Sequence, residues 1–175
     1  KEADHELRKE KFIERLAKLT SGVAVVKVGT ASDVESSDKM ERVKDAIGAT
    51  KAAVEEGIIV GGGLALLYVA QKLTDEAFYK ARIGIKTKEE KIGWDILKKA
   101  LLKPIKLLVE NAGVNGEVVI NEITKKEAGI GYNVVTGEYV DMKKAGIVDP
   151  VKVTISAVQN AASVGGTMLT TEVSI

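Results

Sequence analysis

Residues 49–63 read Ala49-Thr50-Lys51-Ala52-Ala53-Val54-Glu55-Glu56-Gly57-Ile58-Ile59-Val60-Gly61-Gly62-Gly63, and their order decides the fold. Val43, Ala46, Ile47, Thr50, Ala53 and Val54 follow the i, i+3, i+4, i+7 spacing of a helix, which predicts one over Met40–Glu56. Gly57 suits its C-terminal cap, because glycine accepts the left-handed conformation there at no steric cost. Ile58–Val60 reads as a connection. The three glycines read as a turn feeding a second, apolar helix over Leu64–Leu73.

Upstream, Leu7, Phe12, Ile13 and Leu16 predict a helix over 4–20, ended by Ser21-Gly22. Val23–Val28 is β-branched and bounded by glycines, which predicts a short strand. Residues 31–38 are small and polar and read as a loop. Downstream, residues 74–90 read as a charged surface excursion. Lys91–Asn111 has helical character, and Pro104 must kink or restart it near Lys103. Gly113–Gly116 is a break, after which Asn115 caps a helix over 116–126.

The remaining chain changes character. Tyr132–Val135, Thr136-Gly137 and Glu138–Asp141 predict a hairpin. A helical turn over Asp141–Ala145 ends at Gly146. Asp149-Pro150 reads as a capping carboxylate and first-position proline, opening a helix to Val164. Thr170–Ile175 is β-prone and reads as an edge strand. The fold class is therefore mainly α with small β elements.

Composition narrows the function. The 175 residues carry 26 basic and 25 acidic groups, a formal charge of +1. Such a balance gives no electrostatic basis for wrapping nucleic acid or coating an anionic membrane. Cysteine is absent and His5 is the single histidine, which excludes a thiolate nucleophile, a disulfide framework and a multi-histidine metal centre. No apolar run reaches a membrane span.

A few residues are able to carry chemistry, and each has a plainer alternative. Gly61-Gly62-Gly63 before a helix offers backbone amides to an anion, or is simply a tight connection; Walker and GxGxxG spacings are both missing. Asp149 is a helix cap or an acceptor for ribose hydroxyls. Asp45 lies near the buried stripe of its helix and either orients a water or forms a surface ion pair with Arg42 or Lys44. Tyr132-Asn133 flanks a base or packs as an ordinary strand. Trp94 reads as core or interface rather than a stacking platform, and His5 as exposed.

Taken together these segments resemble the C-terminal part of a group I (GroEL-type) chaperonin. The resemblance is carried by Arg15–Leu19 with Gly22–Val25, Arg42–Ala46, Ala49–Gly57, Gly61–Gly63, Gly131–Asn133, Gly146–Pro150 and Ala161–Val164. It implies residues 1–23 from an apical domain, 24–56 from an intermediate domain and 57–175 from the C-terminal half of an equatorial domain. It implies ATP-driven folding of other proteins in a homo-oligomer of double seven-membered rings, with a co-chaperonin lid and unfolded client proteins as partners. Nucleic acid and membrane are not among the implied partners. Asp45 falls on the family's catalytic aspartate. Gly61 and Gly62 fall on the glycine turn beside the nucleotide, and Leu108 near the base. Tyr132, Asn133, Val134 and Val135 fall on the hairpin beside adenine, Ile147 lies against the base, and Asp149 falls on the ribose carboxylate. The implied cofactors are ATP or ADP with Mg²⁺ and K⁺, the Mg²⁺ ligands lying outside this segment.

Departures qualify the resemblance. Val134-Val135 are bulkier than the small residues usual there, residues 74–90 are longer than in the usual bacterial member, Gly165-Gly166-Thr167 alters a small-residue packing segment, and the family's flexible tail is missing. Nothing like the family's Gly-Asp-Gly-Thr-Thr phosphate loop occurs, so the resemblance implies a piece of a longer subunit with weak or no ATPase activity alone. It implies a bacterial cytoplasm, mitochondrial matrix or plastid stroma; Asn111–Gly116 looks more like plastid members. The competing readings are a non-enzymatic helical interaction module on the same fold and a small phosphotransferase using the glycine turn.

Overall fold

A computed structural model describes residues 11–12, 15–16, 25–30, 32–75, 84 and 87–172. The elements whose bounds lie among the described residues are, in chain order, α1 (Asp33–Glu56), β1 (Ile58–Val60), α2 (Leu64–Lys72), α3 (Lys88–Leu101), α4 (Lys103–Asn111), α5 (Gly116–Thr124), β2 (Ile130–Asn133), β3 (Glu138–Asp141), β4 (Val148–Pro150) and α6 (Val151–Leu169). The chain divides into two compact units, Lys1–Asp45 and Ala46–Ile175. His5 and most of the helix expected over 4–20 lie outside the described residues; the four positions described, 11, 12, 15 and 16, are helical.

Of the strand expected over 23–28, residues 25–28 are described, and they form no strand among the described residues. The expected loop over 31–38 is instead the start of α1. Ser32 Oγ accepts from Glu35 N at 3.3 Å, an N-terminal cap that precedes a glutamate three residues on. The stripe expected to be buried on α1 is largely solvent-facing: Ile47 is 43% and Val54 82% exposed, and Ala52 is the one buried residue of the helix.

The second unit is built on α2. Gly57 ends α1 at φ +84°, its N–H donating to Ala53 O at 2.8 Å. Ile58–Val60 is more than a connection: it pairs antiparallel with β4, Ile59 opposite Asp149 and Val60 opposite Val148. Gly62 and Gly63 then turn the chain at φ +65° and +76°, values that a side chain would strain. Short as it is, α2 buries Leu64, Leu67 and Ala70. Around it, Ile105 and Val109 of α4, Val119 and Ile123 of α5 and Met142 form one cluster. A buried side chain of this size contributes roughly 2 kcal/mol. Trp94 joins a second cluster with Ala70, Leu73 and Leu101, and its indole N–H donates to Leu73 O at 3.0 Å, so its expected core role holds.

Local signals place the remaining elements. Thr87 and Glu90 form a reciprocal capping box at α3, three residues ahead of the expected start. The helix stops at Leu102, and α4 begins with Pro104 in its first turn, the restart proline demands. Asn115 Oδ1 accepts from the N–H groups of Glu117 and Val118 and caps α5. The hairpin forms with Tyr132 opposite Tyr139, but Val134-Val135 belong to its turn rather than to a strand. The turn after Asp141 closes as expected, with Ala145 N donating to Asp141 O at 2.9 Å and Gly146 at φ +72°.

Asp149 does not cap α6. It is committed to β4, and Pro150 takes the cap position with no side-chain hydrogen bond. α6 runs past Val164 to Leu169 through Gly165-Gly166. Residues 170–172 continue turning, with Thr171 N donating to Met168 O at 3.3 Å, so the edge strand does not form there; residues 173–175 lie outside the described part.

Candidate functional site

The glycine turn, α4 and the β4–α6 junction enclose a cleft of about 350 Å³, walled by Gly62, Gly63, Leu66, Pro104, Leu108, Asp149, Val153 and Ala157 among others. The volume lies at the lower end of the range of small-molecule sites. Three residues expected from sequence to share a site, Gly62, Leu108 and Asp149, thus line one wall-to-wall space. Each comes from a different element: the turn before α2, the exposed face of α4 and the second residue of β4.

Asp149 is the one carboxylate on that wall. It is half-buried, and desolvation raises its pKa above the ordinary carboxylate value. Among the described residues no hydrogen bond or ion pair engages its carboxylate, while its backbone pairs with Ile59. The nearest cation in sequence, Lys152, is held elsewhere, its Nζ 2.6 Å from Glu55 Oε2. That bond lowers the Glu55 pKa and raises that of Lys152. An unpaired acceptor on an apolar wall is suited to hydroxyl donors, which satisfy its lone pairs without adding charge.

The glycine turn is shaped by close approach. A methyl carbon added to Gly61 would meet Val148 N at 3.0 Å and Ile147 O at 3.1 Å, and one added to Gly63 would meet the Ile105 backbone at 2.9 Å. Gly61 N donates to Ile147 O at 3.0 Å, which joins two more of the expected site residues. Gly63 occupies the cap position of α2 with no side-chain cap bond, and the Leu64 and Leu67 N–H groups donate to Gly61 O and Gly63 O, each at 3.2 Å.

The hairpin residues are adjacent to this site rather than in its wall. Tyr132, Val134 and Ile147 pack on the core cluster beneath the glycine turn, while Val135 is 89% exposed at the hairpin tip. The Tyr132 and Tyr139 rings meet edge to face at 5.3 Å, and burial raises the Tyr139 pKa. Asn133 Oδ1 already accepts from Val135 N at 3.0 Å; its amide group is the part left for a ligand.

Asp45 belongs to the first unit. It is exposed, not near a buried stripe as its spacing suggested. Arg42 pairs with Asp38 at 3.1 Å and Lys44 with Glu41 at 2.7 Å, so neither expected surface pair forms. Among the described residues no group of three or more acidic or histidine side chains could hold a metal ion, and no helix is long and apolar enough to cross a membrane.

Pro104, Val153 and Ala157 were not among the expected site residues. Val153 and Ala157 stand four apart on the helix that follows Asp149, which puts them on its face; that spacing was a usable signal. Nothing in the sequence marks Pro104 as more than a helix restart.

Comparison with known proteins gives two findings. The chain matches the family model for the TCP-1/cpn60 chaperonin family over residues 3–175. It is also similar to a crystal structure of a group III chaperonin in the open state, at 33% sequence identity and a TM-score of 0.67, covering 85% of this chain and 30% of that one. The chain therefore spans under a third of the length of the solved protein it matches.

Proposed function

The chain belongs to the TCP-1/cpn60 chaperonin family, and from that premise we propose that it supplies the base-and-ribose side of an ATP site, with a catalytic carboxylate, to an ATP-driven protein-folding ring. The observation that carries this reading is the unpaired, half-buried Asp149 carboxylate in one cleft with Gly62 and Leu108.

In this reading Asp149 accepts the ribose hydroxyls, and Leu108 with the apolar wall covers the base. Gly62 and Gly63 let the sugar and phosphates come close to the backbone at the start of α2. Ile147 and the Tyr132–Val135 hairpin border the base side. Asp45 orients the water that attacks the terminal phosphate, on an element that closes onto the nucleotide. ATP supplies the free energy for conformational switching. Mg²⁺ and K⁺ enter with ligands from outside these residues. The domain map (1–23 apical, 24–56 intermediate, 57–175 equatorial), the group I type, the double seven-membered rings, the lid, the client proteins and a bacterial or organellar compartment belong to the same proposal.

Calorimetric titration of the chain with ADP tests it. Binding that weakens at least about tenfold in Asp149→Ala supports the assignment; equal affinity in the two proteins refutes it. In a full-length ring subunit, Asp45→Ala is expected to abolish turnover while ADP affinity is retained.

A further inference from the structure

Met142 sits where the glycine turn and the hairpin meet. Its side chain is 2% exposed and lies in the core cluster with Leu64 and Ile105. Two glycines from distant parts of the chain make room for it. A methyl carbon at Gly62 would fall 2.7 Å from Met142 Cε, and one at Gly131 would fall 2.7 Å from its Cγ and 2.8 Å from its Sδ. Both are inside van der Waals contact; at Gly62 the contact is the mobile methyl end of Met142, whereas at Gly131 it is the inner part of the side chain, so Gly131 is the glycine that Met142 requires.

The backbone of Met142 makes a second connection between the same parts. Its N–H donates to Gly129 O at 3.0 Å, at the base of the hairpin. Its carbonyl accepts from Ile147 N at 2.8 Å, and Ile147 O accepts from Gly61 N at 3.0 Å. An unbroken run of hydrogen bonds therefore links the hairpin to Met142, Met142 to Ile147, and Ile147 to the glycine turn. Side chain and backbone fix the same spacing twice.

We infer that Met142 is a positioning residue for nucleotide: it sets the separation between the glycine turn and the base-side hairpin, and so tunes affinity without touching the ligand. The inference rests on the nucleotide reading of the cleft. A thioether suits this place, since its unbranched chain threads between two backbones that a branched side chain would push apart.

Met142→Leu tests it, because it nearly conserves volume and a core swap of this kind is tolerated, yet it branches where Met142 passes Gly131. Gly131→Ala is the second variant; Gly131 has no positive φ to strain, so its added methyl acts mainly on Met142. ADP titration and amide hydrogen exchange are measured on the wild-type chain and on both variants. The expected result is about a tenfold loss of ADP affinity in each variant with the α2 and α4 amides still protected. Unchanged affinity in folded variants overturns the inference, as does a loss of protection spread evenly over the core, which marks a merely structural role. If the wild-type chain binds no ADP, the nucleotide reading fails for the isolated chain, and the same variants are titrated in a full-length subunit that binds ADP. Weaker ADP binding there, with faster exchange confined to Gly61 and Ile147, supports the inference, and unchanged affinity overturns it.

Discussion

The nine-residue helix α2 buries three side chains, whereas the nineteen-residue α6 buries none. The difference lies in what surrounds each helix, not in how apolar it is. α2 is ringed by α3, α4, α5 and the Met142 segment, so Leu64 is 0% exposed. α6 has a single charged residue, Lys152, yet Leu169 at its end is 87% exposed. Helical periodicity reports which residues share a face; it does not report whether anything covers that face. The candidate site lies where these two regions touch, with Gly62 from the buried side and Asp149, Val153 and Ala157 from the uncovered side.

The strongest way to break this comparison is to treat the two helices alike. Leu64→Ala is expected to cost about 3 kcal/mol or more, because a fully enclosed side chain leaves a cavity. Leu169→Ala is expected to stay within about 0.5 kcal/mol. Urea unfolding of both variants measures the difference, and comparable losses would refute the contrast. Next in size is the cap of α5. Asn115→Ala is expected to cost about 1 kcal/mol, read in the same experiment, since two amides lose their acceptor.

A smaller effect separates stability from function at the boundary. Burial raises the Asp149 pKa in the folded chain, so the fold favours the neutral acid. As pH climbs from the ordinary carboxylate value through the raised one, the folded wild type loses stability relative to a chain lacking this ionisation. Asp149→Asn is therefore expected to be slightly more stable than wild type at neutral pH, with the gap closing as pH falls through that window. Thermal melts from acid to neutral pH check this. A gap that widens toward low pH would contradict the desolvation account. The smallest effect is expected at the exposed Lys152–Glu55 pair: Glu55→Gln should change stability little, and that change should fade in high salt.

Much of the fold was legible because it is written in local chemistry. Gly57, Pro104 and Asn115 each act through their own backbone or side chain, and each did what its residue type requires. Ser32 and Thr87 carry equally local capping signals, which apolar spacing does not display. Where long-range pairing decides, local signals misled. Asp149-Pro150 has the form of a helix start, but Ile59, ninety residues earlier in the chain, draws Asp149 into a strand. That displacement leaves the carboxylate uncapped and available. Gly62, Leu108 and Asp149 each give a separate hint in the sequence. That these three line one cleft, while Tyr132–Val135 stay out of its wall, depends on packing between α2, α4 and β4 that no spacing reports.

Mapping ADP onto the chain by amide chemical-shift perturbation tests the proposed nucleotide site. Saturable shifts are expected at Gly62, Gly63, Leu108 and Asp149, with smaller ones at Ile147 and along Tyr132–Val135, and their loss in Asp149→Ala. Shifts confined to other surfaces, such as the groove beside Leu97 and Val158, would contradict it.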